Sequence, residues 1–376
     1  MTSSWRAGSI GAAIAVLLGI VFWACPTDEA GLNGIARLSY DIPFAIRPRI
    51  VPTNSGPYVI YMDQQSHADL HQDPENVWSR SLHTELLKRL TTAGAKAAVF
   101  DVIFDRGSNT NQTDQALAKA MHDNGRVILA AGTASASVGG VGTMNTALLP
   151  DEPFRSAAGS YGFVDLPEDN DRGLRTHPEH RYPGLAWQAA VLLGGNPGDP
   201  GAKRYINYYG RHGTVPSLSY VVAHNTNLLE NAFFKDKIFL IGLGRVMTAK
   251  GENMDVHRTP FTRWTGEDWP GVEIQATILL NLLRGDWLNR MGYGTEFLLL
   301  VATGCSFGFG LVFTRPWTAG VVALCGSLGM AVLAFVLWWH QKIWFSWLIP
   351  SAIQIPCALG WAIFSTTTRT HRPVGK

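Results

Sequence analysis

The chain has 376 residues, with 31 Lys and Arg against 29 Asp and Glu and a net charge of +2, which excludes the basic footprint of a nucleic-acid binder. Its four cysteines, at 25, 305, 325 and 357, fall in or beside apolar segments, so the stretch between them holds no disulfide framework and no thiolate metal site. That stretch, roughly 270 residues, is long enough to bury its own core without staples.

The first element in chain order is an apolar run at 7–24, and three more close the chain at 295–314, 317–339 and 343–366. Each is close to the ~20 residues a helix needs to cross a bilayer. Arg6 precedes the first, Arg315 lies in the tight turn between the second and third, and Arg369, Arg372 and Lys376 follow the last. The positive-inside rule places all of them on the cytoplasmic face, against a single counter-signal at Lys342. A multi-pass protein of the bacterial cytoplasmic (inner) membrane is expected, with its main domain outside or in the periplasm. The first run lacks a small-x-small cleavage site, and Phe22-Trp23-Ala24-Cys25 is a poor lipoprotein box, so a retained anchor is expected. The expected domains are an anchor at 1–27, an extracytoplasmic domain at 28–294, three membrane helices at 295–366 and a basic tail at 367–376.

Within the middle domain, 28–47 reads as partly helical and 54–57 as a turn. Tyr58-Val59-Ile60-Tyr61-Met62 reads as a strand ending at Asp63. Ser79 caps a predicted helix through Ala93, with Leu82, Leu86, Leu87 and Leu90 at helical spacing and Gly94 as its stop. A strand is predicted at 96–104, a helix opening at Thr113 or Asp114 and closing at Gly125, and a strand at 126–131. The Gly, Ser, Thr and Ala-rich stretch 133–159 reads as a long loop or strand connection. Then come a helix at 185–193, a strand at 204–208, a short helix at 217–224, a buried strand at 237–242 and a helix at 270–284 with Pro at its start and Gly285 at its end. Alternating units with continuous apolar strands predict an α/β fold, a largely parallel or mixed sheet covered by helices, beside four transmembrane helices, one N-terminal and three C-terminal.

Ligands of open α/β sheets bind beyond the carboxyl ends of the strands. Asp63, Asp101 and Asp105 stand at such ends, with Asp114 next along, and could converge on a cation or cationic ligand. Equally, Asp63 and Asp105 could cap turns while Asp101 takes a buried hydrogen bond. The acidic segment 165–175 has a calcium-loop look, but its twelfth residue from Asp169 is His180 rather than Glu, so a tight loop closed by a neighbouring Arg is expected. Gly242-Leu243-Gly244 follows a strand without the third Gly of a nucleotide fingerprint. No H-E-x-x-H, nucleophile elbow or P-loop is present. No cofactor, no metal and no catalytic residue is expected. In the membrane segments, Gly11 with Ala15 and Gly304 with Gly308 have helix-packing spacing, serving an α–α contact within the chain or equally a homodimer. Gly326 and Gly329 mark the third segment, and Pro350 and Pro356 should kink the fourth.

The order of these pieces resembles the CHASE type 2 domain, an extracytoplasmic sensory module. The matching pieces are Ile60-Tyr61-Met62-Asp63 with Ser66; Trp78, Arg80 and His83 before Leu86–Leu90; Ala93-Gly94-Ala95-Lys96 before Phe100-Asp101-Val102-Ile103-Phe104, then Asp114. Gly162-Phe163-Val164-Asp165 and the acidic loop follow, then Phe239-Leu240-Ile241-Gly242, Thr259-Pro260 and Pro270-Gly271-Val272-Glu273-Ile274-Gln275-Ala276. One membrane helix before the domain and three after it also fit. The family loop usually reads Asp-x-Asp-Gly-x-x-Arg. Here Arg172 stands where Gly is expected and Gly173 is displaced, while Arg175 keeps its place. Members generally continue into a catalytic output domain; this chain stops at Lys376, so none is expected within it. The resemblance implies a membrane-anchored sensor for a small ligand or an envelope condition, signalling through a separate kinase, cyclase or other partner. The alternatives are an accessory envelope protein that docks another protein, or a metal-dependent extracytoplasmic hydrolase using Asp63, Asp101 and Asp105.

Overall fold

A computed structural model describes residues 3–24, 33–46, 56–105, 111–138, 142–178, 182–248, 251–252 and 255–370. Cys25, Asn54, His180, Arg372 and Lys376, on which sequence expectations fell, lie outside the described residues. In chain order the elements are α1 (Ser3–Ala24), α2 (Asn33–Ile46), β1 (Pro57–Met62), α3 (Gln64–Asp69), α4 (Arg80–Thr92), β2 (Ala97–Ile103), α5 (Asn111–Asn124), β3 (Val127–Val138) and β4 (Gly142–Leu148). There follow α6 (Phe154–Ala157), β5 (Ser160–Phe163), α7 (Leu185–Leu192), β6 (Ser217–Ser219), α8 (Tyr220–His224), β7 (Ile238–Leu243), α9 (Thr262–Thr265) and α10 (Gly271–Arg284). The chain closes with α11 (Tyr293–Gly310), α12 (Pro316–Val336) and α13 (Ile355–Thr370). Two compact units result: Pro48–Trp287, and Met1–Arg47 with Leu288–Lys376.

The first unit is a mixed α/β sheet. In its main sheet β6, β1, β7, β2, β3 and β5 pair in parallel, and among the described residues of that sheet the β3–β4 hairpin alone is antiparallel. Alternation along the strands divides the side chains between two faces. Ile60, Phe100, Leu129, Phe239 and Ile241 pack with Leu86, Leu87 and Leu90 of α4, Leu117 and Met121 of α5 and Tyr220 of α8. The opposite face is covered by α7 and α10. Helix stops are where Gly was expected to make them: Gly94, Gly125 and Gly285 all take positive φ, of 75°, 69° and 61°, a conformation other residues adopt at a cost.

Four expectations need correction. The stretch 133–159 is not a loop throughout: β3 continues to Val138 and turns back as β4, with Gly132 opposite Leu148. The segment 204–208 is not a strand; it makes one bridge, Thr176 to Tyr205. Residues 204–206 bond to 175–177, with Ile206 N donating to Arg175 O at 2.8 Å and His177 N to Arg204 O at 2.9 Å, and beyond them the Asn281 side chain accepts from Asn207 N at 2.8 Å and donates to Asn207 O at 3.0 Å. Residues 217–224 divide into a strand and a helix at Ser219. In the fourth membrane segment, Ile343–Trp344 pair in parallel with Asn289–Arg290, and the helix starts at Ile349. Lys342 at φ 56° ends the preceding helix, and buried Glu296 accepts from Ser346 N at 2.8 Å, which fixes the segment as extended.

Among the described residues, the second unit contains four helices long and apolar enough to cross a membrane, Ser3–Ala24, Tyr293–Phe313, Pro316–Gln341 and Ile349–Thr368. α1 lies antiparallel to α11: Trp5 meets Phe313 at one end, and Trp23 meets Tyr293 at the other. α13 runs back along α1, with Trp361 Nε1 donating to Ala7 O at 2.8 Å. Arg6 and Arg315 therefore share one end of the bundle. The small residues are spent inside the chain: a Cβ on Gly308 would lie 2.5 Å from Gly11 O and 2.6 Å from Ala12 Cα. The fourth segment begins as a π-helical turn, Ile349–Gln354, with Pro350 in its first turn. This wide turn ends at fully buried Gln354, whose Nε2 donates to Ala15 O and Leu300 O, each at 3.0 Å.

Candidate functional site

The centre of the sheet's carboxyl edge is built around Gly242. Pairing sets Tyr61 of β1, Gly242 of β7 and Asp101 of β2 in one row across the strands, on the face covered by α10. A Cβ on Gly242 would lie 2.7 Å from Val272 Cβ and 3.0 Å from Asp101 Cβ, so its bare backbone lets the first turn of α10 settle against the strand ends. On its other side β2 slips out of register with β3 between Phe100 and Ile103. Such a bulge releases a side chain from the regular pleat and re-aims it; here it falls at Asp101.

Asp255 and His257 reach the same place. Val256–His257 pairs with Trp269–Pro270 immediately before α10. Asp255 thereby stands at the helix N-terminus, where Gly271 N donates to Asp255 O at 3.2 Å and a Cβ on Gly271 would lie 2.8 Å from Asp255 Oδ1. His257 spans two carboxylates, with Nδ1 2.8 Å from Glu168 Oε1 and Nε2 3.4 Å from Asp255 Oδ1. Burial pushes His257 down, but the hydrogen bonds to Asp255 and Glu168 and their charges outweigh it, so its affinity for a proton is raised. Burial, aided by the charge of Asp255 and opposed by His257, pushes Asp101 up to about 8.

The sign of the resulting pH dependence follows from linkage. Unfolded, Asp101 ionises near its ordinary value of about 4; folded, it keeps its proton to about pH 8. Folding therefore becomes less favourable as pH rises between these values. The raised His257 adds stability that is present below its unfolded value and lost as pH rises through its folded one. The buried neutral histidines His83 and His177 contribute the opposite slope below about pH 6.5, so the window that reads Asp101 lies above it: from about pH 7 to pH 8.5 thermal unfolding of the α/β domain should fall to lower temperature, and Asp101→Asn should flatten that slope. A wild-type midpoint that rises over this range would contradict the assignment.

Asp63, just past β1, and Asp105, just past β2, stand on either side of β7 and have other partners. Asp63 caps α3, accepting from Ser66 N at 2.9 Å, Ser66 Oγ at 2.6 Å and Ser219 Oγ at 2.9 Å. Its Cβ nevertheless lies 3.3 Å from where a Cβ on Gly244 would be, so Asp63 and Asp101 flank the Gly242–Gly244 turn. Asp105 faces the Arg80 guanidinium, which lies 3.8 Å from Asp114 and 4.5 Å above the Phe104 ring. Trp78 and His83 belong to the same packed cluster: His83 shares a 3.0 Å hydrogen bond with Tyr220 Oη, and burial pushes it down to about 3, with Arg80 and His224 adding to the effect. That motif builds the core against α4.

Sequence reasoning did not single out Glu273. It is fully buried in the first turn of α10, and it accepts from Tyr61 Oη at 2.9 Å and Gly213 N at 2.8 Å and shares a 2.6 Å hydrogen bond with His212 Nδ1. Asp255 and His257 were missed as well. Their only sequence signal is their spacing of two before a Trp-Pro helix start.

The acidic loop is closed by an arginine, as expected. Arg175 donates to Asp169 Oδ2 at 2.7 Å and to both oxygens of Asp171 at 2.8 and 2.9 Å. Its guanidinium occupies the centre that a cation would need. The displaced glycine has a cost at 172 and a use at 173. Exposed Arg172 takes φ 61°, while a Cβ on Gly173 would lie 2.5 Å from Arg175 Nη1. Arg172→Gly should therefore stabilise the domain by about 0.5–1 kcal/mol, relief of left-handed strain less the added freedom of the unfolded chain. Gly173→Ala should destabilise it. A chemical denaturation midpoint that moves the other way for either variant would refute this account.

Among the described residues, no three His, Cys, Asp or Glu side chains gather as a metal-ligand set. The fold and this edge define an α/β domain with a polar, titratable cluster at its strand ends, carried on a helical membrane bundle. A family model for the CHASE2 domain matches residues 12–311, and the chain belongs to that family of extracytoplasmic sensory domains. No curated protein and no solved structure matches it.

Proposed function

We propose that this chain is a sensor of the bacterial cytoplasmic membrane whose α/β domain lies outside, and that the signal is received at the carboxyl edge around Asp101, with Asp105 just past the same strand and Asp63 at the end of β1 across β7. The observation that carries the reading is Asp101 itself: a carboxylate at a β-bulge, facing Asp255 and His257 beside the N-terminus of α10. Protons or a small cationic ligand suit that environment: below about pH 8 the proton on Asp101 removes its repulsion with Asp255, and a cation could take that proton's place. The response passes to a separate kinase, cyclase or other partner, without catalysis by this chain. α1 leads into the domain, α10 leads out of it into α11, and α1 and α11 pack together through their glycines. A ligand that favours one arrangement of the domain could therefore shift this helix pair.

Two measurements test the reading. A reporter enzyme active only in the cytoplasm should work when fused after Lys376 and fail when inserted between β3 and β4; the reverse pattern overturns the topology. Thermal shift of the full chain against small cationic compounds should find stabilisers of the wild type that lose their effect in Asp101→Asn. Stabilisers that act equally on both place the receiving site elsewhere.

A further inference from the structure

At the Arg6 end of the bundle, a cavity of about 400 Å³ opens between the first turns of α1 and the last turns of α13. Its lining is graded along the helices. Arg6 lies at the rim with Ser365 and Thr368, while Ile10 and Trp361 stand about one turn further into the bundle. The hydrogen bond from Trp361 Nε1 to Ala7 O fixes one wall. Arg6 is exposed, and among the described residues no ion pair neutralises it. Residues 1–27 and 297–376 contain no Asp or Glu at all, whereas Arg6, Arg315 and the tail residues Arg369, Arg372 and Lys376 are all basic. The first-turn amides of α1 add the partial positive charge of a helix N-terminus.

We propose that this cavity binds one anionic phospholipid of the adjoining leaflet, its phosphate beside Arg6 and an acyl chain on Ile10, Trp361 and Phe364. A cation at the rim above an apolar wall matches the amphiphile's own order of groups. A basic recess between membrane helices is suited to acidic head groups, and the uniformly basic end repels the ammonium of a zwitterionic lipid. The hydroxyls of Ser365 and Thr368 now donate to carbonyls of their own helix and can rotate toward a phosphate oxygen. The inference stands on the bundle alone and does not depend on which compartment this end faces.

The test is native mass spectrometry of the full chain released from bilayers of phosphatidylglycerol and phosphatidylcholine. The wild type should retain phosphatidylglycerol in preference. Arg6→Gln should lower retention about fivefold, equivalent to ~1 kcal/mol. Arg315→Gln removes the same charge from the same end outside the cavity, and should leave retention unchanged. Both arginines are exposed, so neither variant removes a packed side chain. Equal losses in the two variants would show a general surface-charge effect and overturn the site. So would unchanged retention in Arg6→Gln, or no preference in the wild type.

Discussion

Glu273→Ala is expected to lower the stability of the α/β domain by about 3–5 kcal/mol, a large share of what a domain of this size holds. The side chain is fully buried and binds Tyr61 Oη, His212 Nδ1 and Gly213 N. Removing it strands these groups in a protein interior, and each unsatisfied one costs roughly 1–3 kcal/mol. It also removes a negative charge from the first turn of α10, where the helix dipole favours one. Glu273→Gln should cost less, because the amide keeps an acceptor for Gly213 N and fills the same volume. Tryptophan fluorescence during thermal unfolding reads the effect, since Trp269 lies 6.4 Å from His212. The exposed Glu152, paired with Arg155 at the surface, supplies a control whose Ala variant should change stability by no more than about 0.5 kcal/mol. If Glu273→Ala melts with the wild type, the trio does not hold β1 and the 212–213 turn to α10. Because Tyr61 shares its row with Gly242 and Asp101, the same variant should loosen the candidate site.

The difference between what was readable and what was not has physical causes. β1, β2 and β7 are short runs of apolar and β-branched residues, buried on both faces, and such runs announce themselves. The helices between them end at Gly94, Gly125 and Gly285, whose positive φ is a local requirement. The β3–β4 hairpin was hidden because Ala, Ser, Thr and Gly carry no apolar alternation; its ladder is backbone pairing. The tyrosines at 205, 208 and 209 imitate a strand because they are buried, yet backbone pairing with 175–177 stops at a single bridge, and Asn207 is held by the side chain of Asn281, over 70 residues further along the chain. The same limit applies at the site. Asp101 could be found from its position in a strand. Asp255 and His257 belong to a two-residue pairing with 269–270, too short for any periodic signal, and Glu273 reads in sequence as an ordinary first-turn acid.

Gly308→Leu should separate α1 from α11. The contact is backbone against backbone: a Cβ at 308 would sit 2.5 Å from Gly11 O and 2.6 Å from Ala12 Cα, and neither atom can rotate away as a side chain would. Overpacking of this kind costs about 1–3 kcal/mol, and more where the neighbours are rigid. Small residues matter at such seams because helix association within a bilayer rests on close packing. The displacement should also strain the hydrogen bonds by which Gln354 ties α1 to α11 at Ala15 O and Leu300 O. Gly329 is the internal comparison: it lies on α12 with open space around it, so Gly329→Leu should be silent. Thermal unfolding of the full chain in a nanodisc, following loss of the bundle, should show a lower midpoint for Gly308→Leu alone. The α/β domain, whose core contains no part of this seam, should keep its own transition, while output to a partner should change if the signal travels through the helix pair. Equal bundle midpoints for Gly308→Leu and Gly329→Leu would mean that the glycine seam does not hold the helices together, and that α1 and α11 are not the route by which the domain reports.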